Sequence, residues 1–156
     1  MNGNDFIGLL GLTSDDDQIK ALLGSCGITV KPKIEEPDDE TAIVENKTLG
    51  LEITFDDERY LAVKSREYEE GALVLSNVRM YGEGNDTFRS FKGNLPYGLL
   101  FGSNRQTAEA TLGAKPAWVK RDGTYARWDF KTHCEFLGFG ESDTLGEVDV
   151  QLPVKK

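Results

Sequence analysis

"LLFGSNRQTAEATLGAKP", residues 99–116, reads as a short capped helix that stops at a glycine, and "LLGLTSDDDQIKALLGSCG", residues 9–27, reads almost the same way. In the later stretch Ser103 and Gln106 form an S-x-x-Q capping box. Ala108, Thr111 and Leu112 supply an apolar stripe, Gly113 closes the helix and Pro116 prevents its continuation. In the earlier stretch Ser14 and Asp17 make the start, and Ile19, Leu22 and Leu23 recur at helical spacing. Gly24 offers the left-handed stop, so the first helix is expected from Asp15 to Leu23. Aligning Gly8 with Gly98 and Gly24 with Gly113 needs one gap, which points to an internal repeat.

After each helix the apolar period changes to two. In the first half, "TAIVE" (41–45), "LGLEITF" (49–55), "YLAVKSREYE" (60–69) and "ALVLSNVRMY" (72–81) read as strands. In the second, "AWVK" (117–120), "YARWDF" (125–130), "CEFLGF" (134–139) and "LGEVDVQL" (145–152) do the same, with an Asp-Gly hairpin signal at Asp122-Gly123. The expected fold is α+β: two tandem helix-plus-antiparallel-meander repeats, 5–81 and 95–153, joined by a polar glycine-bearing linker, 82–94. Leu51, Ile53 and Phe55 alternate with Glu52 and Thr54, and Val148, Val150 and Leu152 with Glu147, Asp149 and Gln151. One sheet face is therefore packed under the helices and the other is open and polar. Trp118 and Trp128 are both expected in the core.

Charge narrows the partners. The 156 residues carry 18 Lys plus Arg against 27 Asp plus Glu, a net charge of −9. Such a field repels nucleic-acid phosphates and anionic membranes and speeds encounter with a basic protein. "MNGNDFIGLLGLTSDDD" has no basic region ahead of its short apolar stretch, so an export signal is not expected and a cytoplasmic location is. Cys26 and Cys134, one in each half, are expected as free buried thiols.

No catalytic pattern stands out. His133 is the lone histidine, and its neighbour Cys134 would point to the opposite side of a strand. "GSCG" lacks the spacing of a nucleophile elbow. One histidine and two distant cysteines build no usual zinc set, and "SDDDQ", "EEPDDE" and "FDDERY" lack calcium-loop spacing. "YGEGND" lacks the third glycine and the lysine of a phosphate loop. Asp129 and Glu147 are carboxylates that acid–base chemistry on a sugar would need, but they fall among other charges on the wetted face. No cofactor and no enzyme activity are expected.

Residues 102–116, "GSNRQTAEATLGAKP", resemble the G-x-S-x-x-(E/Q)-V-x-x-x-LG-x-P opening of beta-lactamase-inhibitor-protein-like domains, and the SmpA/OmlA lipoproteins have a similar opening. "YARWDF" is similar to the strand that follows it there. The resemblance covers roughly residues 5 to 153 and implies two units in tandem whose concave sheet grips a target. The single cysteine in each half and the "GSCG" helix end without a nearby proline depart from the secreted members. By analogy with small acidic cytosolic proteins, the expectation is an immunity protein that binds and occludes a basic toxin domain. Tyr68, Arg79, Tyr81, Asp129, Glu147 and Asp149 are the candidate contacts, Tyr and Arg being common interface anchors. Lys64, Arg66 and Tyr68 are expected to share one side of their strand, and Asn77, Arg79 and Tyr81 one side of theirs. The acidic loop "KIEEPDDE", 33–40, is a second candidate, as a plug. Two other classes stay open: a small-ligand protein or enzyme with a cleft lined by Asp129, His133 or Glu135, and an envelope-assembly adaptor.

Overall fold

Alternating side chains build one sheet from both halves of the chain. In the computed structural model, which describes residues 1–64 and 66–154, the strands are β1 (Thr41–Asn46), β2 (Leu51–Asp57), β3 (Leu73–Tyr81), β4 (Trp118–Val119), β5 (Tyr125–Asp129), β6 (Cys134–Phe139) and β7 (Leu145–Gln151). Their spatial order is β1-β2-β3-β7-β6-β5-β4, and every neighbouring pair is antiparallel. β3 and β7, the last strands of the two halves, meet at the centre. Three helices, α1 (Gly3–Leu9), α2 (Asp17–Ser25) and α3 (Arg105–Leu112), complete an α+β fold.

The register sorts the faces as the alternation predicts. Val44, Ile53, Val78, Val150, Glu135 and Trp128 lie in one row across the sheet, and Leu51, Met80, Val148, Leu137 and Ala126 in the next. The apolar members of these rows pack with Phe6, Ile19, Leu22, Leu23 and Ala108 of the helices in a single core. At about 25 cal/mol per Å² of apolar surface removed from water, this layer contact is the main stabilising term. Glu135 is the exception within it.

The helix ends differ from the sequence reading by a residue or two, for identifiable reasons. α2 is capped by Asp16, whose side chain accepts from the Gln18 amide, and α3 by Asn104, which accepts from Thr107. Ser14 lies two residues ahead of the Asp16 cap, in a short pairing of residues 11–14 along β3 in which its amide donates to the Leu73 carbonyl. Ser103 precedes the Asn104 cap, and its hydroxyl turns back to donate to the Leu100 carbonyl. Gly113 takes the left-handed cap (φ 73°) as expected, but Gly24 lies inside α2 and the left-handed residue is Gly27 (φ 67°).

Two expectations are corrected and one is extended. Among the described residues of 60–69 there is no strand. Asp57 accepts from the Arg59 amide and its guanidinium, starting a tight 3-10 turn at Glu58–Tyr60 that ends β2 and leads into a loop. The stretch 82–94, expected as a polar linker, also carries packing contacts of its own. Phe88 stacks on Tyr81 with ring centroids 4.1 Å apart, Phe91 packs near Phe6, and the Asn94 carbonyl accepts from the Gly3 amide. This segment wraps the end of the sheet from its open face to its core face. Trp118 sits on the short edge strand β4 and is 41 % exposed, whereas Trp128 is buried and donates its indole N–H to the Ala114 carbonyl. No helix among the described residues is long and apolar enough to cross a membrane.

Candidate functional site: the open face of the sheet

Each inward-pointing core residue has an outward-pointing neighbour, and the central outward row reads Glu45, Glu52, Arg79, Asp149, Phe136, Arg127, Trp118. Arg79 is its hub. Its Nε donates to both carboxylate oxygens of Asp149 at 3.0 and 3.1 Å, Nη1 lies 3.5 Å from Glu52, and Nε lies 3.6 Å from Glu147. Two tyrosines complete the group: Tyr81 donates to Glu52 at 3.4 Å and Tyr125 to Glu147 at 3.5 Å.

Three carboxylates surround one guanidinium, so the cluster is negative by two when all are ionised. Burial raises the Asp149 carboxyl above the usual aspartate range. The neighbouring Glu147 charge adds to this, while Arg79 opposes it. Glu147 is raised as well, by burial against the opposing pull of Arg79. The tyrosine hydroxyls of Tyr81 and Tyr125 are likewise pushed up by burial. Glu147 and Asp149 titrate as a coupled pair.

Beside this hub lies a concavity of about 430 Å³ lined by Tyr81, Tyr125, Gly138 and Glu147, with Glu83 and Glu141 at its mouth. Gly138 makes room for it: a Cβ there would meet the Tyr125 ring at 2.9 Å and the Glu147 Cβ at 3.1 Å. Further along the row, Trp118 meets Phe136 edge to face at 6.1 Å, and Arg127 pairs with Asp129 at 2.9 Å. Aromatic, guanidinium and carboxylate groups thus form one continuous strip.

Of the sequence candidates, Arg79, Tyr81, Glu147 and Asp149 come together at the hub, and Asp129 lies on the same face beside Arg127. Tyr68 does not join them. It belongs to the loop after β2, and its hydroxyl donates to the Gly11 carbonyl at 2.6 Å. Lys64 is drawn to Glu58, so the expected row of Lys64, Arg66 and Tyr68 does not form. The 33–40 loop is exposed apart from the half-buried Ile34 and leads into edge strand β1. Of Asp129, His133 and Glu135, the last two meet at 3.5 Å on the core side, while Asp129 projects to the opposite face. Glu52, Tyr125 and Phe136 also belong to this face: the period-two pattern marks Glu52 and Tyr125 as outward-facing, whereas Phe136 reads as inward and only its pairing with Arg127 and Asp149 turns it outward. Among the described residues no group of three or more His, Cys, Asp or Glu is placed to hold a metal ion. Cys26 and Cys134 are buried thiols, and burial pushes Cys134 up to about 11.

Comparison of the chain with protein-family models, with curated proteins and with solved structures yields no match.

Proposed function

We propose that the open sheet face is a docking surface for a basic protein domain and that the chain acts by occupying that partner, not by catalysis. The observation that carries this reading is the hub itself: three carboxylates on one arginine, flanked by tyrosines and continuous with the Trp118–Phe136–Arg127 strip. Guanidinium or ammonium groups of a partner fit that chemistry, through ion pairing and through the tyrosine faces. The carboxylates that acid–base chemistry would use are engaged by Arg79 and Arg127, which supports a binding role over a catalytic one.

The finer reading is an inhibitor, an immunity protein that covers a toxin domain, built from two helix-plus-meander units. It is supported by the resemblance of residues 102–116, the meeting of β3 with β7, and a left-handed glycine just after each of α2 and α3, Gly27 and Gly113. Cytoplasmic action accords with the acidic composition.

The test uses rim charges, because reversing half-buried Glu147 or buried Asp149 would set a lysine against Arg79. Immobilised wild-type chain and a Glu45→Lys/Glu83→Lys/Glu141→Lys variant are offered extract of the source organism at low salt. The captured protein is then purified, timed in association and mapped by cross-linking. The variant is expected to associate at least tenfold more slowly at low salt, with the gap closing as salt rises. Cross-links should fall on this face. Equal rates, or cross-links confined to the helical side, would reject the proposal.

A further inference from the structure

Glu135 occupies a position where an apolar residue belongs. It is 0 % exposed, on the core face, between Val150 of β7 and Trp128 of β5. Among the described residues neither of its carboxylate oxygens has a hydrogen-bond partner. His133 Nε2 lies 3.5 Å from Oε2, and that imidazole is itself only 3 % exposed. The same nitrogen lies 3.4 Å from the Tyr97 hydroxyl, while the other ring nitrogen faces the Thr132 hydroxyl at 3.4 Å. Tyr97 forms the outer wall. Its ring stacks on Phe130 (5.0 Å) and that of Phe130 on His133 (4.8 Å), yet Tyr97 is 42 % exposed. Its backbone is left-handed, φ 58°, an uncommon conformation for an aromatic residue.

We propose that Glu135, His133 and Tyr97 form a proton-controlled latch: while one proton is held between carboxyl and imidazole, residues 95–101 stay closed over the core. Two arrangements of that proton, acid with neutral imidazole or carboxylate with imidazolium, leave the pair uncharged and compatible with apolar surroundings. Removing the proton leaves a net buried anion whose only neighbouring donor is a neutral imidazole N–H at 3.5 Å, which an apolar interior tolerates poorly. Among the described residues His133 is the one compensating electrostatic partner of this carboxyl. β5 brings Trp128, β7 brings Val150, and α1, which packs over β7, brings Phe6 while its Asp5 stays in solvent. Burial pushes the Glu135 carboxyl up, and only His133 opposes it.

Tyr97 is the exposed member of the stack that covers His133, so hydration of the pair is assigned to opening at Tyr97. Opening there would pull on more than one residue. The Tyr97 amide donates to the Asn4 side chain, and a Cβ on Gly3 would meet the Pro96 ring at 2.6 Å, so the segment is seated against the start of α1. The latch stands on a different group and the opposite sheet face from the docking reading, and it survives if that reading fails.

The test pairs a direct titration with an opening measurement. Carboxyl-carbon NMR of the wild-type chain follows Glu135 against pH, and amide exchange of Tyr97, Gly98 and Leu99, corrected for intrinsic rate, follows the latch. Glu135 is expected to titrate well above ordinary glutamates. Above that midpoint, protection of the three amides should fall by up to about tenfold per pH unit, while central amides such as Val78 show a shallower change. In Glu135→Gln the slope should vanish. An ordinary glutamate titration, or an unchanged slope in the variant, overturns the latch. Should Glu135→Gln not fold, coincidence of the wild-type carboxyl midpoint with the onset of lost protection decides, and separate midpoints reject it.

Discussion

At the scale of single residues, the chain's unusual choices are its charged groups taken out of water. Glu147 illustrates the consequence. Its folded carboxyl is raised, by burial first, so whatever stability it confers is fully present below its unfolded value, about 4.3, and is lost as pH rises through the folded value. Glu147→Gln removes that loss. The variant should therefore gain stability relative to wild type as pH rises from 4 towards 8, with urea midpoints converging at the acid end; parallel profiles would refute this. Gly50 is unusual in another way. It combines φ +70° with a backbone so close to Arg89 and Phe91 that a Cβ would collide with the Arg89 carbonyl. Gly50→Ala should cost roughly 2–4 kcal/mol, read as a drop in the denaturation midpoint. The sequence marked Arg79, Tyr81, Glu147 and Asp149 because alternation alone decides their face. It did not mark Glu135 as buried: in "CEFLGF" a glutamate flanked by Cys134 and Phe136 reads as the polar side of a strand. Only the tertiary register, which sets Cys134 and Phe136 outward, reverses that reading.

At the scale of elements, local rules and tertiary pairing competed, and pairing moved the boundaries. Capping chemistry was legible in kind, but Ser103 lies ahead of the cap with its hydroxyl donating to the Leu100 carbonyl, and Asn104 takes the amide-capping role. Asn104→Ala should accordingly destabilise by about 1 kcal/mol, and Ser103→Ala by clearly less; equal losses would mean that the cap assignment is wrong. Within β3 the apolar positions change parity, Leu75 and then Val78 and Met80. The pairings Phe55–Leu75 and Thr54–Asn77 show why: Ser76 is the extra residue of a bulge. That parity change was visible in "ALVLSNVRMY" as an irregularity. By contrast, nothing in the alternation of "YLAVKSREYE" warned that Asp57 would end β2 by bending the chain back onto Arg59. Side-chain capture of a backbone amide overrode a pattern that residues 60–69 share with true strands.

At the scale of the whole molecule, helices roof one face and leave the other to a charge cluster that is negative even after its internal pairing. A cluster of this kind links binding to protons. Asp149 and Glu147 hold on to protons because they are buried beside one another with one arginine between three carboxylates. A guest guanidinium or ammonium favours the ionised forms, so docking should release protons, and affinity should rise with pH until both carboxyls are ionised in the free protein. The direction is opposite to that expected if protonated carboxyls donate to a neutral guest. Calorimetry in two buffers of different ionisation enthalpy reads the protons directly. Titrating the captured partner should give a net release at a pH below the cluster's midpoint, and Glu147→Gln should reduce it without abolishing binding. Tyr97 and His133 lie on the far side of the sheet, so Glu135→Gln should leave this proton count unchanged. Proton uptake on docking, or a count that follows Glu135 and not Glu147, would place the partner on the helical side of the molecule.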